Sequence, residues 1–269
     1  MSEKVVNLEI NGRGFQAREG MTILEVAKRE GIPIPTLCHH DALEPVGACR
    51  LCMVEITHPN WRGWKGLVTA CLYPVEEGLQ VTTESQEIHQ VRKTILDLLL
   101  ARCPDAPYIQ KVAAEHGVTA TSFKKNEVQT VCILCGLCVR VCAVKGCNAI
   151  GTARRGIRRE IAAPFGMPPP DCIGCTSCAH ICPTDAIPWE DVNGVRKIWD
   201  QEFEMVRCVS CGRPIMPVTQ LEFEAKRAGI SPDYMTTCPA CSQQKTLETI
   251  RTAFTIKRPA SEDAVEAAS

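Results

Sequence analysis

Aromatic residues are scarce, at 5% of 269 residues, so ordinary hydrophobic cores must be small and something else must help hold the chain together. Neither sign of charge is in excess. Thirty Lys and Arg stand against 31 Asp and Glu, a formal net charge of -1, which removes both the basic footprint of a nucleic-acid binder and the acidic signature of a charged tail. A long apolar run is missing as well: the longest, Ile95 to Ala101, is short and broken by Asp97, so no membrane span is expected. The opening Met-Ser-Glu-Lys has no apolar signal core, which points to a cytoplasmic, reducing location. A phosphate-cradling loop is equally hard to find. Gly12-x-Gly14-x-x-Ala17 nominally matches a dinucleotide fingerprint, but the residues after it continue as a strand, and the motif binds phosphate only where it opens a helix.

Cysteine is what the chain has. Its 18 cysteines fall mostly in C-x-x-C pairs rather than at scattered spacings. In a reducing compartment such pairs are expected to be metal ligands rather than disulfides.

The length suits a modular chain of two or three small domains. Val5 to Ile10 and Phe15 to Arg18 alternate on either side of Asn11-Gly12, a hairpin signal. Thr22 with Glu25 three residues on is a capping box for a short helix, which Gly31, Pro33 and Pro35 stop. Strands around Met53–Thr57 and Leu79–Thr83 complete a small mixed sheet on one helix, an α+β domain over residues 1–83. Apolar residues at helical spacing from Ser85 to Arg102, then Tyr108 to His116 closed by Gly117, make residues 84–127 a helical connector. Residues 128–195 are cysteine-dense and poor in periodicity, with Pro168-Pro169-Pro170 as a stiff spacer. A hairpin about Asn193-Gly194 leads to a knuckle module over 196–245, and residues 246–269 read as a partly disordered tail.

Two runs carry the strongest chemistry. Cys132, Cys135, Cys138 and Cys142 follow C-x2-C-x2-C-x3-C, and Cys172, Cys175, Cys178 and Cys182 repeat it, with Pro183 next. Tight loops of this kind aim three thiolates at one cubane, while the following helical turn carries the fourth away to the other cluster. The expected sets are therefore Cys132, Cys135, Cys138 and Cys182 for one [4Fe-4S], and Cys172, Cys175, Cys178 and Cys142 for the second. Ala143 stands where a ferredoxin often has Pro, and Cys147 is a nearby substitute for Cys142. The 29 residues between the runs carry Arg154, Arg155, Arg158 and Arg159, either a solvated insertion or a docking surface for an acidic partner.

Cys38, Cys49, Cys52 and Cys71 give C-x10-C-x2-C-x18-C on the first domain. Four thiolates on a small sheet-and-helix domain suit a [2Fe-2S] cluster, although only the central pair matches the plant-type spacing; structural zinc is the competing reading. His39 and His40 are expected at the surface. Cys208, Cys211, Cys238 and Cys241 form two facing knuckles for one tetrahedral ion, zinc in a ribbon by default or iron as in rubredoxin. Cys103 and Cys147 remain as ordinary buried or partly buried thiols.

The order of these parts resembles a known family. The four-cysteine sheet domain, the Leu-Leu-Leu helix, Cys132-Ile-Leu-Cys135-Gly-Leu-Cys138-Val-Arg-Val-Cys142 and Cys172-Ile-Gly-Cys175-Thr-Ser-Cys178-Ala-His-Ile-Cys182-Pro183-Thr184 are similar to the iron–sulfur front end of the respiratory complex I large peripheral subunit. They are equally similar to the diaphorase iron–sulfur subunits of soluble NAD(P)-linked hydrogenases and formate dehydrogenases. The resemblance covers about residues 1 to 195. It implies a β-grasp [2Fe-2S] domain and a two-[4Fe-4S] ferredoxin domain that pass electrons between an NAD(P)H-oxidising flavoprotein subunit and a separate catalytic, metal-containing oxidoreductase subunit. The chain itself would be a non-catalytic wire. The family usually adds His-x3-Cys-x2-Cys-x5-Cys for a further cubane after the Leu-rich helix, whereas Arg102-Cys103-Pro104-Asp105-Ala106-Pro107 keeps one Cys and no such His, so that cluster is expected to be absent. The knuckle pair stands where complex I subunits continue into a molybdopterin-like domain, which makes a membrane-bound respiratory setting doubtful. The same wire in an electron-bifurcating or acyl-CoA/heterodisulfide-type reductase stays open, as does, from another class, a zinc-only scaffold or nucleic-acid binding module.

Overall fold

A computed structural model describes residues 4–126 and 130–255. The described residues form two compact units, one of residues up to Cys172 with Thr176–Pro188, the other of Ile173–Cys175 with residues from Trp189 onward.

The first unit opens with β1 (Val5–Ile10) and β2 (Arg13–Arg18), joined through Asn11 and Gly12 at φ 52 and 77. Two consecutive residues with positive φ give a turn whose twist matches the paired strands, and Gly takes that conformation without strain. The dinucleotide-like motif is thus a hairpin. On β1 the side chains of Val6, Leu8 and Ile10 are buried while Val5 and Asn7 are exposed, the period-2 pattern of a half-buried strand. Helix α1 (Ile23–Arg29) starts at the expected capping box: Glu25 N–H donates to Thr22 Oγ1 at 3.2 Å and Thr22 N–H to Glu25 Oε2 at 2.6 Å.

β3 (Met53–Thr57), β4 (Lys65–Thr69) and β5 (Leu79–Thr82) complete a five-stranded sheet in the order β2-β1-β5-β3-β4, with β1 and β5 parallel and every other neighbouring pair antiparallel. β4 is absent from the sequence expectation because its Lys-Gly start and half-buried middle give no alternation. The core under the sheet holds Val6, Leu8, Ile10, Ile23, Leu24, Val54, Ile56 and Leu79, and it includes Cys52 and Cys71.

Helix α2 (Gln86–Arg102) is capped by Ser85, whose hydroxyl accepts from Ile88 N–H at 3.3 Å, and α3 (Pro107–Glu115) begins with Pro at its first position. Gly117, at φ 75, ends α3 with Val118 N–H bonded back to Ala113 O, a left-handed helix stop. A second core joins α2 and α3 to cysteine loops: Leu96, Leu100, Cys103, Ile109 and Ala113 pack with Leu37 and Cys38, and with Ile133, Cys135 and Leu137. Helix α4 (Leu137–Lys145), a short hairpin of β6 (Gly151–Ala153) and β7 (Glu160–Ala162), and α5 (Ser177–His180) carry the remainder of this unit. Arg154, Arg155, Arg158 and Arg159 lie exposed on or between β6 and β7, with Arg154 paired to Glu160 at 3.0 Å.

The second unit is built on an antiparallel sheet in the order β11-β10-β9-β8, from β8 (Trp189–Val192), β9 (Val195–Ile198), β10 (Gln201–Arg207) and β11 (Pro214–Pro217). The hairpin expected at Asn193-Gly194 joins β8 to β9, with φ 54 and 83. Helix α6 (Val218–Ala228) buries Leu221 and Ala225, and α7 (Pro239–Thr255) follows the last knuckle. Residues 246–255, expected within a tail, continue α7; the remainder of that tail lies outside the described residues. The peptide 173–175 belongs to this unit because Arg196 donates to Gly174 O at 3.2 Å and Thr219 to Ile173 O at 3.2 Å. Gly174 fills a place no side chain could take: a Cβ there would lie 2.8 Å from Phe203, at φ 68.

One buried charge ties α2 to the sheet. Arg92 is 1% exposed, and its guanidinium donates to the carbonyls of Leu51, Met53 and Thr83 at 3.1–3.3 Å and to Glu84 at 3.1 Å. Leu51 and Met53 flank Cys52, so Arg92 braces a ligand loop from behind. Arg92→Met leaves several carbonyls without donors, each costing about 1–3 kcal/mol if water cannot reach it. We expect stability to fall by about 3 kcal/mol in urea denaturation followed by circular dichroism; a fall under about 1 kcal/mol would mean that the carbonyls find other partners.

Candidate metal centres

Cys38 lies on the loop after α1, Cys49 and Cys52 on the approach to β3, and Cys71 just past β4. The four thiols fall into two pairs. Cys38 gives its thiol hydrogen to Cys49, which lowers Cys49 to about 5 and, with burial, raises Cys38. Cys52 stands to Cys71 in the same way, raised while Cys71 is lowered, and the charge of Cys49 bears on both members of this second pair. Cys49 N–H also donates to Cys38 Sγ at 3.3 Å.

That arrangement differs from the one a single zinc ion requires. A single zinc with Zn–S bonds of about 2.3 Å needs all four sulfurs within about 3.8 Å of one another. Among the described residues, the only group with all ligand atoms within 4.8 Å of one another is Cys208, Cys211, Cys238 and Cys241. Two pairs side by side, with two thiolates for each of two irons, fit a [2Fe-2S] cluster. His40 is exposed, as expected, but the side chain of His39 is 10% exposed and meets Asp41 through Nε2 at 3.1 Å. His39 is therefore half-buried rather than at the surface, next to the buried Cys38.

The two C-x2-C-x2-C-x3-C runs share a backbone pattern. Leu134 and Gly136 in the first, and Gly174 and Thr176 in the second, take positive φ at the same positions of the run. A left-handed Leu and a β-branched Thr are costly conformations, so the repetition marks loops bent by a common requirement. A short helix begins one residue before each third cysteine, and each fourth thiol accepts a backbone N–H: Cys142 from Ala149 at 3.2 Å, Cys182 from Ala186 at 3.3 Å.

Burial raises the Cys135 thiol, and the charges of Cys182 and Cys132 raise it further. Burial pushes Cys138 up to about 12, with Cys135, Cys132 and Cys178 adding to it. The charge of the fourth thiol of the second run thus reaches the first run. Cys172 and Cys178 lie in the first unit, and Cys175 in the 173–175 peptide of the second.

Cys103 is fully buried, donates its S–H to Cys132 O at 3.2 Å, and is pushed up to about 11 by burial. A thiol held protonated in this way is a packing residue. Arg102 adds a second hand on the same carbonyl, with Nε 3.0 Å from Cys132 O. Cys147 is half-buried, its N–H bonded to Cys142 O.

In the second unit the four knuckle sulfurs converge, with Cys211 and Cys238 Sγ 3.8 Å apart, the edge expected of a tetrahedron with metal–sulfur bonds of about 2.3 Å. Backbone N–H groups of Cys238 and Cys211 lower Cys208 to about 6, and Cys241, bonded to Cys238 and Cys211, is pushed up to about 12. The residues between Cys211 and Cys238 hold β11 and α6.

Sequence reasoning missed Arg92, Arg102 and Arg140. All three bond to backbone carbonyls of cysteines or their neighbours. The one available signal was the placement of Arg102 and Arg140 beside or inside cysteine motifs.

A 2Fe-2S iron-sulfur cluster binding domain family matches residues 3–86, and a 4Fe-4S dicluster domain family matches residues 171–216. The chain is 33% identical over 207 residues to the NADPH-Fe(3+) oxidoreductase subunit alpha of Geobacter sulfurreducens, covering 68% of this chain and 24% of that protein. It is 28% identical over 234 residues to an NADH-quinone oxidoreductase subunit of Rhizobium meliloti, covering 77% and 27%. It is 28% identical over 214 residues to the NADP-reducing hydrogenase subunit HndD of Solidesulfovibrio fructosivorans, covering 68% and 36%. A chain of the crystal structure of the NAD+-reducing [NiFe]-hydrogenase in the H2-reduced state superposes with a TM-score of 0.59 at 29% identity, over 67% of this chain and 86% of that one. The chain spans between about a quarter and a third of the curated relatives it matches. It is an iron–sulfur electron-transfer protein like the subunits of NAD(P)-linked hydrogenases and of complex I, and these matches favour that reading over a zinc-only scaffold or nucleic-acid module. Among the described residues no helix is long and apolar enough to cross a membrane.

Cys52→Ser is expected to abolish the [2Fe-2S] electron paramagnetic resonance (EPR) signal while [4Fe-4S] signals persist; a retained [2Fe-2S] signal would remove Cys52 from the ligand set. Cys103→Ala should leave the iron content of the purified protein unchanged.

Proposed function

We propose that this chain is a non-catalytic electron wire carrying one [2Fe-2S] and two [4Fe-4S] clusters between an NAD(P)H-linked flavoprotein subunit and a separate catalytic, metal-containing subunit of a hydrogenase or formate dehydrogenase type complex. The observation that carries the reading is the arrangement of thiols: Cys49 N–H on Cys38 Sγ in the first domain, and two cysteine runs with the same left-handed positions and a backbone N–H on each fourth thiol. When bound, such clusters supply one-electron steps in series, which suit a partner that handles two electrons at a flavin or as hydride.

The chain's residues supply the rest. Cys38, Cys49, Cys52 and Cys71 would hold the [2Fe-2S] cluster; Cys132, Cys135, Cys138 and Cys182 the first [4Fe-4S]; Cys172, Cys175, Cys178 and Cys142 the second. Backbone N–H groups of Cys49, Ala149 and Ala186 donate to cluster thiols, which stabilises thiolate and helps set the cluster potential. Cys208, Cys211, Cys238 and Cys241 would hold one zinc, or iron, as a structural or docking element of the second unit. We place the chain in a reducing cytoplasm, the setting in which paired cysteines act as metal ligands rather than disulfides. The domain limits of 83, 127, 195 and 245 serve this reading as working boundaries.

Purified anaerobically, the chain should contain about ten iron atoms with one zinc, or about eleven iron atoms if the knuckles hold iron. Cys175→Ala should remove one [4Fe-4S] and interrupt transfer while sparing the [2Fe-2S] spectrum. Undiminished electron throughput in that variant would refute a series wire, and a colourless, zinc-only protein would refute the cluster reading altogether. Anaerobic affinity purification from native cells, with dye reduction by NAD(P)H as the assay, identifies the partners.

A further inference from the structure

Arg140 stands between the third and fourth cysteines of the first run, on α4, yet its guanidinium reaches out of its own motif. One terminal nitrogen donates to Cys38 O at 2.5 Å and the other to Glu44 O at 2.6 Å. A single side chain thereby grips two points of the loop that begins with the first [2Fe-2S] thiol. Hydrogen bonds from a charged donor are about twice as strong as neutral ones. A guanidinium fork also fixes geometry in a way an ammonium cannot.

The same charge faces back to its own run. On α4 it stands two residues from Cys138 and two from Cys142. Both of its hydrogen-bond acceptors are backbone carbonyls, which carry no net charge, so they do not cancel it. Its Nε is buried and has no hydrogen-bond partner among the described residues. The loops on both sides, Leu37 and Cys38 on one and Ile133, Cys135 and Leu137 on the other, share one hydrophobic core, and the half-buried guanidinium is screened less than a charge in open water.

We propose, resting on the wire reading above, that Arg140 is a positioning residue bridging the [2Fe-2S] and first [4Fe-4S] sites: its fork fixes the two ligand loops against each other, and its positive charge raises the potentials of both clusters. A fixed cation favours the reduced state, which carries one more negative charge, and local charge is among the factors that set a cluster's potential. The device works on two centres at once because the residue belongs to one motif by sequence and to the other by contact.

The test is potentiometric titration of the cluster-loaded full chain, followed by EPR, on the native protein, Arg140→Met and Arg140→Lys. In Arg140→Met the [2Fe-2S] midpoint and one of the two [4Fe-4S] midpoints should move negative, and the other [4Fe-4S] midpoint should stay. Arg140→Lys keeps the charge without the fork, so its midpoints should lie closer to native than those of Arg140→Met. Unmoved midpoints in an iron-replete Arg140→Met would overturn the proposal, as would a Lys variant shifted as far as the Met variant. If Arg140→Met fails to assemble, Arg140→Gln, with donors but no charge, takes its place in the comparison. Cluster loss from Arg140→Lys as well as Arg140→Met would reduce the residue to a folding role and equally overturn it. A native chain lacking [4Fe-4S] signals would instead refute the wire reading.

Discussion

The four thiols that we assign to the [2Fe-2S] cluster are divided between two hydrophobic cores, and much of the first unit depends on that division. Cys52 and Cys71 are buried under the five-stranded sheet, whereas Cys38 is buried, and Cys49 packed, among the helices α2 and α3. Neither core alone can present the full set. The sheet must therefore be braced against the helices to within the tolerance of a metal–sulfur bond, and Arg92 supplies a brace at the peptides flanking Cys52. Burying a full charge is costly unless every donor is matched, and here the guanidinium is matched by three carbonyls and a carboxylate.

The same kind of contact recurs where the helical core meets the first cubane run. Arg102 and Cys103 both bond to Cys132 O, and Arg140 bonds to Cys38 O. Arginine side chains, reaching backbone carbonyls beside the thiols, take the place that large aromatic contacts hold in other small domains. A chain with 5% aromatics has few such contacts to spare, and metal binding adds folding free energy that the apolar cores do not provide. Stability and electron transfer are then coupled, because the residues that place the ligands also hold the layers together.

The second unit follows a different rule. Its four knuckle sulfurs already lie within 4.8 Å of one another, as one tetrahedral ion requires, while its sheet and α6 form a core of Ile198, Phe203, Met205, Leu221 and Ala225. Gly174, within the second cubane run, is pressed against Phe203 and Pro217, so a ligand-bearing loop also serves as part of that unit's packing. A Cβ has no room there, which is why glycine stands where the first run tolerates Leu134.

The sequence by itself determined whatever is local. The Asn11-Gly12 and Asn193-Gly194 turns, the Thr22–Glu25 capping box, the span of α2 and the repeated cysteine spacing all follow from residues within a few positions of each other, and cluster chemistry follows from those spacings. Only the tertiary structure decided what depends on residues distant in the chain. It paired Cys38 with Cys49 and Cys52 with Cys71, brought the charge of Cys182 to bear on Cys135, half-buried His39, grouped residues 173–175 with the second unit, and sent Arg92 and Arg140 to carbonyls 41 and 102 positions away. β4 belongs with these, since a strand whose middle is only half buried is specified by its partner β3 rather than by its own pattern. The physical reason is common to all of them: a hydrogen bond or a buried contact between distant residues leaves no periodic trace along the chain, so it becomes legible only once the layers have packed.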